Sequence, residues 1–175
     1  MQDSMQRKFI PVGIAVLTVS DTRQEQDDKS GQILIARLQK DGHVLRERKI
    51  VIDDIYRIRA IVSGWCIDED IQVIITAGGT GVTGRDSTPE AVSVLLDKRI
   101  EGFGEVFRML SREQIGASTI QSRAMAGVSN GRYVFCLPGS PNACATAWDS
   151  LIGPQLDYRT RPCNFVELMP RLLEK

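Results

Sequence analysis

Three short runs constrain the fold more than anything else in the chain: "VGIAVLTVS" (Val12–Ser20), "IQVIITA" (Ile71–Ala77) and "RYVFCLPGS" (Arg132–Ser140). Each is apolar at nearly every position and gives way to Ser, Gly or Pro. A strand with one wet face alternates apolar and polar residues. A run that is apolar throughout suits a strand covered on both faces, and such strands belong to sheets sandwiched between helices. The segments between the runs carry helical spacing. Ile33, Leu34 and Leu38 form a stripe starting near Ser30 and stopped by Gly42. Ile55, Ile58, Val62 and Trp65 form a second. "TPEAVSVLLDK" opens with Thr88 as N-cap and Pro89 at the first helical position. Ser140-Pro141 repeats that signature before "PNACATAWDSLI".

"HVLRERKIV" (His43–Val51) alternates and reads as a further strand, whereas residues 101–131 read as a helix followed by loops. Strands alternating with helices predict a single-domain three-layer α/β/α sandwich with a mostly parallel central sheet. A chain of 175 residues suits one full core. Residues 1–10 are expected to be a flexible N-terminal tail and 11–157 the α/β domain. Residues 158–175 are expected to form a C-terminal tail packing on the domain or on a neighbouring subunit.

Composition removes several functions. Lys+Arg and Asp+Glu are equal at 22 each, so no charge excess argues for nucleic acid or a membrane surface. A near-neutral surface is mildly prone to self-association, which allows a homo-oligomer without showing one. The start lacks the apolar core of a signal peptide, and no apolar stretch approaches the roughly 18 residues of a span. Cys66, Cys136, Cys144 and Cys163 form no C-x-x-C pair and read as reduced thiols of a cytoplasmic protein. His43 is the single histidine, standing between a helix and a strand away from any serine signature, which argues against a Ser-His-Asp centre or zinc. A metal here would need oxygen ligands, which points to Mg²⁺.

In open α/β sheets, ligands bind beyond the carboxyl ends of the strands. Those ends hold Ser20 and Asp21; Asp53 and Asp54; Gly78, Gly79, Thr80 and Gly81 with Asp86; and Pro138, Gly139 and Ser140. Glycine-rich backbone, helix starts at Thr88 and Ser140 and nearby acids together make a phosphate-plus-metal site. Each piece alone has a plainer explanation: a tight turn, a helix cap, a polar loop. Their common edge is what argues for a site. The literal G-x-G-x-x-G at Gly79–Gly84 is not a dinucleotide turn, because it follows the third strand and is separated from the next helix start by intervening residues. Nor is it a P-loop, since no Gly-Lys-Ser/Thr follows.

The motifs "TVSDTR", "DKSG", "IVIDD", "ITAGGTGVTGRDSTPEA", "GFGEVFR", "QSRAMAG" and "FCLPGSPNA" resemble the molybdenum cofactor biosynthesis proteins of the MogA/MoaB type, whose relatives include the G domain of gephyrin. The match runs from Ile14 to Asn164, and the "GFGEVFRMLS" and "TRPCNF" segments look most like the MoaB branch. The resemblance implies a molybdopterin-binding fold and, in active members, transfer of AMP from MgATP to the terminal phosphate of molybdopterin with release of pyrophosphate. It places the family's two carboxylates on Asp53 and Asp86, as catalytic residues and magnesium ligands. It places the nucleotide- and pterin-binding loops on Ser20, Asp21, Gly78–Gly81 and Pro138–Pro141, with Ser122 and Arg123 in the segment beside the pterin site. It further implies a trimer or hexamer. The alternative within the same fold is an oligomer that binds pterin or nucleotide without turnover.

Overall fold

The structure, a computed structural model, describes residues 7–174. Six strands form one sheet in the order β2-β1-β3-β6-β5-β4. β1 (Gly13–Val19), β2 (Val44–Val51), β3 (Val73–Ala77) and β6 (Arg132–Leu137) run parallel. β4 (Lys98–Arg99) and β5 (Met125–Ser129) complete the sheet antiparallel to their neighbours. The sequence-based expectation of a mostly parallel sheet in a three-layer domain holds.

Successive residues of β1 face opposite sides, which explains its unbroken apolar run. Ile14 and Val16 enter one core with Val73, Ile75, Tyr133 and Phe135. Ala15, Leu17 and Val19 enter the other with Ile74, Val134 and Cys136. The first core is covered by α1 (Lys29–Lys40) through Leu34 and Leu38, by α4 (Glu101–Ile115) through Phe103 and Phe107, and by α5 (Pro141–Ala147) with its continuation. The second is covered by α2 (Ile55–Cys66) through Ile58, Val62 and Trp65, and by α3 (Thr88–Ser93) through Ala91 and Val92. Each such fully buried aliphatic side chain contributes roughly 1.5–3 kcal/mol. β2 is an edge strand, and its "RERK" charges suit an edge that must not pair with another chain.

Three details differ from the sequence-based expectation. Residues 122–131, expected to be loop, contain β5 and a hairpin turn at Asn130-Gly131, where both residues have positive φ. α3 stops after six residues, because Asp97 N–H bonds to the carbonyl of Val128 and pulls the chain into the sheet. The helix starting at Pro141 runs beyond Ile152. It passes through a π turn at Trp148–Ile152 into α6 (Gly153–Leu156), which accommodates Pro154 and its missing N–H.

Of the expected N-terminal tail, residues 1–6 lie outside the described residues. From Arg7 the chain is tied down: Arg7 pairs with Glu167 at 2.9 Å, and Phe9 packs against His43 with the rings tilted by 52°. Beyond Asp157, α7 (Phe165–Leu168) sets Phe165 against Tyr133, with ring centroids 4.6 Å apart. No helix among the described residues is long and apolar enough to cross a membrane.

Candidate functional site

The sheet order places β1 and β3 side by side while their crossovers leave in opposite directions, so a crevice opens at their carboxyl ends. A cleft of about 520 Å³ lies there. Ser20, Gly78, Gly79, Thr80, Gly81, Asp86, Ser122, Pro138, Gly139 and Ser140 all line it. Asp21, Asp53, Thr88 and Pro141 do not line it and lie behind or beside these loops.

The glycine loop has an ordered backbone. All four of its carbonyls are taken by protein donors. Gly78 O accepts from Thr88 Oγ1 at 2.9 Å and Gly79 O from Thr88 N at 3.0 Å. Thr80 O accepts from Arg123 N at 2.9 Å and Gly81 O from Arg123 Nε at 2.6 Å. With the carbonyls held aside, the N–H groups of Gly79 and Thr80 donate to no protein acceptor among the described residues. Successive unpaired N–H groups at a cleft form an anion-accepting nest.

The two carboxylates press on the same loop. A Cβ on Gly79 would stand 2.6 Å from Asp53 Oδ2, and one on Gly81 would stand 2.6 Å from Asp86 Oδ2. Only glycine allows such approach, and Gly79 also adopts φ +65°. Asp53 Oδ1 accepts from Ser87 N at 3.1 Å and from Ser87 Oγ, while Asp53 Oδ2 accepts no hydrogen bond among the described residues. Asp86 Oδ2 accepts from Thr83 N at 2.8 Å and Thr83 Oγ1 at 2.6 Å, and Oδ1 takes neither. The Thr83 hydrogen bonds hold the Asp86 carboxyl below its ordinary range, so it is ionised at neutral pH. Asp86 at the cleft and Asp53 beside the loop are hard oxygen donors of the kind magnesium takes, which needs only one or two carboxylates when phosphate and water supply the rest.

Local sequence explains why neighbouring acids differ. Asp54 caps α2, accepting from Tyr56 N and Arg57 N, which leaves Asp53 to turn toward the loop. Asp21, expected at the ligand, is committed elsewhere. It pairs with Arg85 and accepts from Asp53 N at 3.0 Å, and the Arg85 guanidinium holds its carboxyl below the usual range. Thr88 is not the N-cap, because Ser87 holds that position. Thr88 is instead buried, pinning Gly78. Ser140 does cap α5, accepting from Ala143 N at 3.2 Å.

Sequence reasoning missed one wall. Phe107, Ser111 and Ile115 of α4, with Ser118 and Gln121 of the following 3₁₀ segment, face the cleft across from the glycines. The i, i+4, i+8 spacing of the first three is a readable signal for a single helix face. Arg23 was missed as well: it lines the cleft and donates to Gly139 O at 3.0 Å. His43 is remote, buried where Val12 N–H donates to its Nδ1.

Comparison with known proteins gives the family and the fold. The molybdenum cofactor biosynthesis family described as "Probable molybdopterin binding domain" matches residues 15–158. Molybdenum cofactor biosynthesis protein B of Escherichia coli (strain K12) is 55% identical over 158 residues, covering 90% of this chain and 93% of its own. The protein of the same name from Bacillus subtilis (strain 168) is 44% identical over 147 residues, covering 83% and 86%. Among solved structures, a molybdenum cofactor biosynthesis protein B superposes with TM-score 0.83 at 46% identity, covering 86% of this chain and 94% of that one. The tungsten cofactor synthesizing protein MoaB from Pyrococcus furiosus superposes with TM-score 0.73 at 38% identity, covering 82% and 91%. Matched by the family model over residues 15–158 and by these relatives over 82% to 90% of its length, the chain belongs to the molybdenum cofactor biosynthesis protein B branch of the MogA/MoaB family.

Proposed function

We propose that the cleft is the active site of a molybdopterin adenylyltransferase using MgATP. The observation that carries this reading is the pairing, on one glycine loop, of a nest whose N–H groups have no protein acceptor among the described residues with two carboxylates, Asp53 against Gly79 and Asp86 against Gly81. A site built only to hold anions would gain nothing from aspartates beside its donors, because they repel phosphate unless a cation lies between.

An oxygen of the terminal phosphate of molybdopterin attacks the α-phosphorus of ATP. The bond from that phosphorus to the oxygen bridging toward the β-phosphate breaks, and pyrophosphate leaves with the electron pair. The nucleophile is already anionic, so no strong base is needed and the distant histidine is no obstacle. Gly79 and Thr80 N–H groups would orient phosphate oxygens, and the α4 wall with Phe107 would exclude water from one side. Asp53 and Asp86 would hold magnesium, which when bound neutralises phosphate charge and stabilises the leaving pyrophosphate.

Incubation of the purified protein with MgATP tests the reading: pyrophosphate appears only when molybdopterin is added. Pterin that binds without pyrophosphate release identifies a binding protein instead.

A further inference from the structure

Arg123 is not one of the residues that line the cleft, yet three of its four bonds go to carbonyls of residues that do. Its N–H takes the carbonyl of Thr80, and its Nε takes that of Gly81 at 2.6 Å. Its Nη2 takes the carbonyl of Asp86 at 2.6 Å, and its Nη1 pairs with Glu90 on α3. The guanidinium thus spans both ends of the 81–86 segment and fixes it to the following helix. Between those ends, Asp86 N donates to Thr83 O at 3.1 Å and Thr83 N to Asp86 Oδ2 at 2.8 Å, a closed turn that aims the carboxylate. A planar fork with donors in fixed directions can hold two carbonyls and a carboxylate together, which a lysine ammonium on a flexible stem cannot. Arg123 is only half-buried, and its segment leads into β5, so it joins the antiparallel edge of the sheet to the loop after β3.

We propose that Arg123 is a positioning residue: it binds no substrate, but holds the Thr80, Gly81 and Asp86 carbonyls so that the Asp86 carboxylate faces the nucleotide phosphates beside the Gly79 and Thr80 N–H groups, whose peptide planes Thr88 fixes. This rests on the adenylyltransferase reading for its role in turnover, but not for its effect on the loop.

The test uses the full-length protein, wild type and Arg123→Ala, with Arg123→Lys as a milder variant. Amide hydrogen exchange on ligand-free protein should be at least about tenfold faster at Thr83 and Asp86 in Arg123→Ala, because their bonds lose the brace. MgATP affinity by calorimetry should fall about tenfold. Millimolar guanidinium should restore both in Arg123→Ala, a rescue that a general packing defect would not show. Should Arg123→Ala fail to fold, Arg123→Lys carries the same measurements, with smaller effects expected. Exchange and MgATP affinity within twofold of wild type in the folded variant overturn the proposal. A wild type that binds MgATP but releases no pyrophosphate overturns the adenylyltransferase reading while leaving the Arg123 measurements decisive. A wild type that turns over, with Arg123→Ala equal to it in rate and exchange, overturns the Arg123 proposal alone.

Discussion

Gly81 shows how one missing side chain sets the chemistry, because the Asp86 carboxylate occupies the space where a Cβ would stand. Gly81→Ala should push that carboxylate away from the nest and cut AMP transfer by about a hundredfold, about 2.7 kcal/mol of transition-state stabilisation. Steady-state kinetics with circular dichroism as a folding control checks this. Asp86 also leaves a mark on stability. Its folded carboxyl titrates below its ordinary value of 3.8, so its contribution is complete above that pH and is lost as pH falls through the lower folded value. Denaturant titrations should therefore find wild type more stable than Asp86→Asn at pH 7, with the gap closing as pH falls below 3.8. At this scale the sequence was partly legible. The identity of the acids could be read, but which of Asp53 and Asp54 caps the helix depended on the backbone turn after β2. That Asp21 is spent on Arg85, which lies 64 positions away, could not be seen from local spacing.

The elements that hold these loops have their own fixed points. Asp28 is wholly buried, caps α1 through Gly31 N at 2.9 Å, accepts from Thr18 Oγ1 at 2.7 Å and pairs with Arg48 at 3.0 Å. One side chain therefore joins β1, α1 and β2. Asp28→Ala should cost about 3 kcal/mol, since it strands the largely covered Arg48 and removes a cap together. Chemical denaturation measures it. The parallel strands and long helices were legible because burial on two faces and helical spacing both write themselves locally. β4 and β5 were not. β5 is "MAGVS", with Gly127 at its centre, and that glycine is required because a Cβ there would meet the Lys98 carbonyl of β4 at 2.5 Å. Such a strand exists through its partners rather than its propensity.

At the scale of the molecule, the cleft draws on both halves of the sheet: the nest follows β3, and the opposing wall comes from α4 and the segment leading to β5. The C-terminal segment supports that arrangement from below. Phe165 lies on Tyr133, whose hydroxyl donates to Phe165 O at 3.1 Å, and near Phe135, which in turn meets Phe103 of α4. Phe165→Ala should cost about 2–3 kcal/mol, less than a fully buried ring because Phe165 is only half-buried. Thermal unfolding would register it as a lower Tm. The closing of the cleft by α4 was the least legible feature, since it depends on how far one helix leans over the sheet.

The account turns on the two carboxylates serving catalysis at a phosphate nest. The most direct measurement follows label from the α-phosphate of ATP into molybdopterin, in wild type and in Asp86→Asn, with pterin affinity determined for both. The account predicts labelled pterin from wild type and essentially none from Asp86→Asn, while pterin affinity stays within about tenfold. Equal labelling in the two proteins, or none in wild type with pterin firmly bound, would contradict it.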